Sequence, residues 1–158
     1  MGDGIVRGLV EYHGISENIP TNLRSFKTIA LDSITEIKEG APDIEDILKV
    51  RVNGEIENSR VIKTAIGVSI DGQELTGWKL VIYGEIKVKV DYSSSSQGPA
   101  IYVSNFLLNF SSFITLSNKT SINSRIYPNV FIEDIHVKKL DAKKLFTTAT
   151  IIITADVD

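Results

Sequence analysis

The residues best suited to acid–base chemistry are two groups of carboxylates, Asp43, Glu45 and Asp46, then Glu133 and Asp134. A glycosidase needs two such groups converging across a cleft, one as acid and one as base or nucleophile. Spacing favours a plainer reading, in which the first group caps a helical turn and the second decorates a strand. Asp134 and His136 are two apart on that strand and share a face, so a serine would complete a triad in principle. No nucleophile elbow accompanies them, because Gly67-Val68-Ser69-Ile70-Asp71 lacks the second glycine and the strand-to-helix setting. His13 and His136 lie far apart without a second nitrogen ligand near either, and both are read as structural or surface histidines. Gly72, Gly77 and Gly84 match neither the phosphate-binding loop nor the dinucleotide fingerprint. The expectation is a protein that is not an enzyme, with no catalytic, cofactor-binding or metal-ligating residues, no cofactor and no small-molecule substrate.

Composition narrows the partners. The 158 residues carry 17 basic and 20 acidic side chains, a net charge of −3, without the basic stripe that nucleic acid or anionic lipid would attract. Trp78, Tyr83, Tyr102 and Tyr127 are therefore read as core or protein-binding aromatics rather than base-stacking platforms. Cysteine is absent, which removes disulfides, thiol catalysis and cysteine-bound metals. No apolar run reaches membrane-spanning length, so neither nucleic-acid binding nor membrane insertion is expected. The start, Met1-Gly2-Asp3-Gly4-Ile5-Val6-Arg7-Gly8, lacks the basic and apolar parts of a secretory signal, so synthesis without export by that route is expected.

The elements that would position these residues are strands. From Lys79 to Tyr92, even positions are almost all apolar and odd positions carry most of the charge, the two-residue period of a half-buried strand. Gly84 breaks the apolar face and marks a bulge or a close backbone approach. The pattern recurs at Leu48 to Ile56 and Val61 to Ile70, with a kink at Asn58-Ser59, and at Ile101 to Phe110 and Val130 to Leu140. Leu145 to Val157 holds a β-branched run expected to be paired on both sides, since such an edge invites aggregation. Turns are read at Asp71-Gly72, at Ser93 to Pro99 and at Leu140 to Lys143. Pro42 to Leu48 has the proline and early acids of a short helical turn. The expected architecture is all-β, an antiparallel β-sandwich or partly open barrel with one short helical turn near residues 42–48. Residues 1–25 form an N-terminal arm, read as a possible donor strand, and residues 26–158 one β-domain.

Several segments together resemble the SPOCS domain of SipL-type spore-coat morphogenetic proteins and small stand-alone clostridial members. They are Pro42 to Val50, Gly72 to Glu85 with its hairpin and closing glycine, Phe110 to Ile114, and Tyr127 to Leu140 followed by Asp141 to Phe146. The likeness is read over nearly the whole chain, including the stretch through Phe26-Lys27. Trp78 departs from it, standing where a basic residue is commoner, and the peptidoglycan-binding LysM module of the coat proteins is missing. The resemblance implies a non-enzymatic structural role in the spore envelope, with spore-coat proteins or further copies of the chain as partners. It also implies a place at the spore surface or coat after synthesis in the mother cell.

A strand added from a neighbouring copy is the physical route to such an assembly, and head-to-tail addition that does not close yields a filament. The expected donor is Ile5 to Tyr12, with Ile5, Val6, Leu9, Val10 and Tyr12 as assembly residues. The weakly charged apolar edge at Ile151 to Ile153 adds Ile151 and Ile153. The alternative is a monomeric binding module recruiting one spore-coat morphogenetic partner. A third class, an enzyme acting on spore polysaccharide, would use Asp43, Glu45, Glu133 or Asp134.

Overall fold

Alternating side chains bury one face of each strand, and in the computed structural model those faces meet as two sheets. The structure describes residues 4–21, 25–95, 98 and 100–157. The strands are β1 (Ile5–Arg7), β2 (Val10–His13), β3 (Phe26–Glu36), β4 (Asp46–Val68), β5 (Glu74–Ser94), β6 (Ala100–Thr115), β7 (Ile126–Lys139) and β8 (Lys144–Val157). One sheet has the order β1-β2-β4-β5-β6 and the other β3-β8-β7. All pairings are antiparallel except β2 with β4. The expected β-sandwich is therefore present, and it is not a closed barrel.

The core lies between the sheets. Leu80, Ile82, Ile86, Val88, Val90 and Tyr92 supply the buried face of β5, and Leu145, Ala149, Ile151 and Ile153 that of β8. Water excluded from both faces at once is the main driving force. On β7 the buried set switches from Ile132 to Ile135 and Val137, because a register shift between Ile132 and Asp134 moves one residue out of step. The kink expected at Asn58-Ser59 is a register shift between Ile56 and Asn58 inside one long strand, not a break between two. Gly84 faces Ile56 there, and a Cβ on it would meet the Glu55 carbonyl oxygen at 2.2 Å and Phe110 Cζ at 2.7 Å. Only glycine lets the strands pass that closely.

Three expectations are corrected, and one strand was missed. The helical turn near residues 42–48 does not form; 42–45 is irregular and Asp46 opens β4. Ile44 and Ile47 are buried, and the backbone satisfies its donors across the fold instead, from Ile44 N–H to the Ala142 carbonyl and from Glu45 N–H to the Ser93 carbonyl, both at 2.8 Å. Ile5 to Tyr12 is not one strand but two, folded at Gly8-Leu9 with Gly8 at φ 62°. β3 was not read from the sequence at all; its inward positions include Lys27, Ser33 and Thr35, which hide the alternation. Ile151 and Ile153 form no edge: β8 is the middle strand of its sheet, and both residues are fully buried. Parts of two expected features, Met1–Asp3 and 22–24 of the arm and Ser96, Gln97 and Pro99 of the serine loop, lie outside the described residues.

Candidate assembly surface

The N-terminal segment folds back on its own domain through a small set of strong contacts. β1 and β2 form a hairpin with Ile5 opposite Tyr12 and Arg7 opposite Val10. β2 then adds parallel to β4, pairing Glu11, Tyr12 and His13 with Lys49, Val50 and Arg51. Tyr12 is 1% exposed. Its hydroxyl accepts from the Val137 N–H at 3.1 Å and donates to the Val137 carbonyl at 3.4 Å. The ring stacks on His136 with centroids 6.2 Å apart, and the Arg7 guanidinium lies 5.2 Å above it.

The same segment occupies the outer edge of β7. Arg7 donates to the Ile135 carbonyl at 2.9 Å and pairs with the Asp134 carboxylate at 2.5 Å. Ser16 donates its N–H to the Ile132 carbonyl at 2.8 Å, and the Ile132 N–H donates to Ser16 Oγ at 3.0 Å. Between these two residues, Gly14 sits at φ 103° against the Val52 carbonyl. Backbone groups of Ile132, Ile135 and Val137 that would otherwise be open to another strand are thus held by backbone and side-chain groups of the chain's own N-terminal segment.

The expected assembly residues divide accordingly. Ile5, Val6 and Leu9 are exposed, Val10 is half-buried and Tyr12 is a core residue. Ile151 and Ile153 lie one strand further in, opposite Ile132 and Val130 on β7, and contribute to the core rather than to a surface. The β4–β5 hairpin tip, read from the sequence as a strand to Ile70 and a turn at Asp71-Gly72, leaves Ile66, Val68 and Ile70 exposed.

Two of the carboxylates considered for chemistry are held in ion pairs. Asp43 pairs with Lys143 at 2.6 Å and Asp134 with Arg7 rather than with His136. Lys139 donates to the Glu45 backbone carbonyl at 3.2 Å. His13 instead contacts Glu11, with Nε2 2.6 Å from Oε1. A different acidic group forms where no sequence motif pointed: the carboxylates of Glu55, Glu57 and Glu85 lie within 4.8 Å of one another. Glu55 sits directly opposite Glu85, and the adjacent register shift brings Glu57 alongside. Partial burial and the neighbouring Glu57 charge push the Glu85 carboxyl above its ordinary range. Lys87 lies 3.2 Å from Glu55 and 3.9 Å from Glu85 and offsets part of the repulsion.

Of the aromatics, Tyr102 packs against Tyr92 with centroids 5.9 Å apart, Trp78 lies half-buried against the core, and Tyr83 and Tyr127 are exposed. A family model described as SipL, SPOCS domain matches residues 43–140, more than half of the chain. The chain belongs to that family. The matched stretch runs from just before β4 to the end of β7, so the SPOCS match is narrower than the near-whole-chain likeness read from the sequence, and β1, β2, β3 and β8 lie outside it. No curated protein and no solved structure was found to match the chain. SPOCS membership implies a sporulation-related role in a spore-coat context. Among the described residues no helix is long and apolar enough to cross a membrane.

Proposed function

We propose that this SPOCS protein is a non-enzymatic structural subunit of the bacterial spore envelope that assembles through protein–protein contacts, with exchange of the β1–β2 hairpin between copies as the route to a polymer. The observation that carries the reading is Tyr12. A fully buried core side chain is supplied by a short terminal hairpin that meets the rest of the domain through three β2–β4 pairs and the β7 edge. Every one of those contacts can be made equally well by the hairpin of a neighbouring copy, because the receiving surface on β4 and β7 is the same in each. If the hairpin of one copy docks on the next, the contact is head-to-tail and gives an open filament unless the rotation closes a ring. Partners on this reading are further copies of the chain and spore-coat proteins, and the location is the spore surface or coat.

The absence of cysteine makes the connectivity of the hairpin directly measurable. Glu11 and Lys49 face each other across β2 and β4, and neighbouring strands lie about 4.8 Å apart, within the Cα span that a disulfide bridges. In a Glu11→Cys, Lys49→Cys variant oxidised after assembly, exchange yields a ladder of covalent oligomers on a denaturing, non-reducing gel. A single cross-linked monomer band would show that each hairpin stays on its own domain.

A further inference from the structure

A sheet edge offers N–H and C=O groups to any strand that approaches, and folded proteins blunt such edges by shortness, charge, proline or bulges. Among the described residues, each open edge carries one of these features, with one exception. β1 has three residues. β3 carries Lys27, Asp32 and Glu36. β7 has Pro128, a register shift and the N-terminal side chains already seated on its amides. β4 pairs with β2 only over Lys49–Arg51, and beyond it carries Glu55, Glu57, Arg60 and Lys63 with two further register shifts. β6 has none of them. Over its 16 residues, Ala100–Thr115, it contains no charge, proline or glycine, and it pairs with β5 without a register shift.

The direction of its free groups follows from the ladder. Leu116 donates its N–H to the Trp78 carbonyl at 3.0 Å, continuing the register in which Thr115 faces Lys79. Even-numbered residues of β6 therefore bond to β5, and odd-numbered residues turn both N–H and C=O outward. These same odd positions include Ile101, Val103 and Leu107, all exposed on the outer face of the sheet. At the other end of the strand Lys27 of β3 sits over the Phe113 ring at 3.8 Å, which leaves the Ile101 to Asn109 half as the accessible edge among the described residues.

We infer that β6 is a contact with a second copy of this chain, two β6 strands pairing antiparallel about a two-fold axis to make one continuous sheet. The array of outward groups is self-complementary under that operation, since each odd residue offers one donor and one acceptor. Pairing β6 with itself sets uncharged residues opposite uncharged residues, whereas β3 or β7 in its place would bring carboxylates or lysines to the seam. An identical strand also matches β6 in length and in its unbroken register. The neighbouring rows carry no uniform sign to select a charged peptide, because Arg51 pairs with Asp91 at 3.2 Å and Lys87 with Glu55 at 3.2 Å. This contact lies on the side of the sheet away from β1 and β2, so it stands whether or not the hairpin is exchanged.

The test is sedimentation velocity of the 158-residue chain over a dilution series, beside a Val103→Lys, Leu107→Lys variant. Both side chains are exposed, so the melting temperature should be unchanged while self-association weakens by about tenfold or more. Asn105→Pro provides a second variant, removing one outward N–H at an edge position that tolerates proline, and should weaken association likewise. Equal association by wild type and both variants, or a wild type that is monomeric at every concentration, overturns the inference. Failure of hairpin exchange alone would leave a β6 dimer, and failure of β6 pairing alone would leave the covalent ladder of the cysteine variant, so the two are told apart.

Discussion

Tyr12→Ala is expected to lower the free energy of unfolding by about 3–5 kcal/mol, the range for removing a buried large aromatic side chain. The ring is fully buried between the sheets, and its loss also strips the cover from Val137 N–H and C=O. Tyr12→Phe separates the two contributions. It keeps the packing and deletes the hydroxyl, and should cost about 1–3 kcal/mol, the penalty of leaving a buried donor unpaired. Urea unfolding with an unchanged slope and a shifted midpoint is the measurement. A loss for Tyr12→Ala no larger than that of an exposed residue such as Leu9 would mean that the hairpin is not part of the core. Because the same side chain is the proposed exchanged group, Tyr12→Ala should also abolish polymer at concentrations where the domain itself remains folded.

Gly84→Ala should destabilise the fold by about 3 kcal/mol, the upper end of the ordinary range for overpacking. The added methyl would lie 2.2 Å from the Glu55 carbonyl oxygen and 2.7 Å from Phe110 Cζ, and the first of these is backbone, so relief requires β4 and β5 to separate next to a register shift. Gly8→Ala is the control. Its φ of 62° costs an L-residue about 1–2 kcal/mol, but nothing lies within 4 Å of the new Cβ. Thermal or urea unfolding of both variants should rank Gly84→Ala clearly below Gly8→Ala. The reverse order would mean that the close approach at Gly84 does not exist in solution.

How much could be read from the sequence depended on how cleanly each element shows its period. β5 could be read because its even positions are apolar from Leu80 to Tyr92, apart from Gly84. β3 has the same geometry, but Ser33 and Thr35 stand at inward positions, and a half-polar face carries no alternation signal. Pro42 to Leu48 looked helical because acids follow a proline, yet burial of Ile44 and Ile47 against both sheets outweighed that local preference. The N-terminal segment was read as a separate arm, but the turn at Gly8-Leu9 and the burial of Tyr12 depend on contacts with β7, more than 120 residues away in sequence. Ile151 and Ile153 were read both within a run paired on both sides and as an apolar edge, and the order β3-β8-β7 decides for the first. The Glu55, Glu57 and Glu85 group and the uncharged edge of β6 needed the register of three strands, which composition does not contain.

Self-assembly is tested most directly by light scattering of the tag-free 158-residue chain across a dilution series, with negative-stain electron microscopy of the same samples. The expected result is ordered, extended assemblies whose mass falls on dilution. A monomer whose mass does not change with concentration would contradict the structural-subunit reading and leave the binding module, recruiting one spore-coat partner, as the function to pursue.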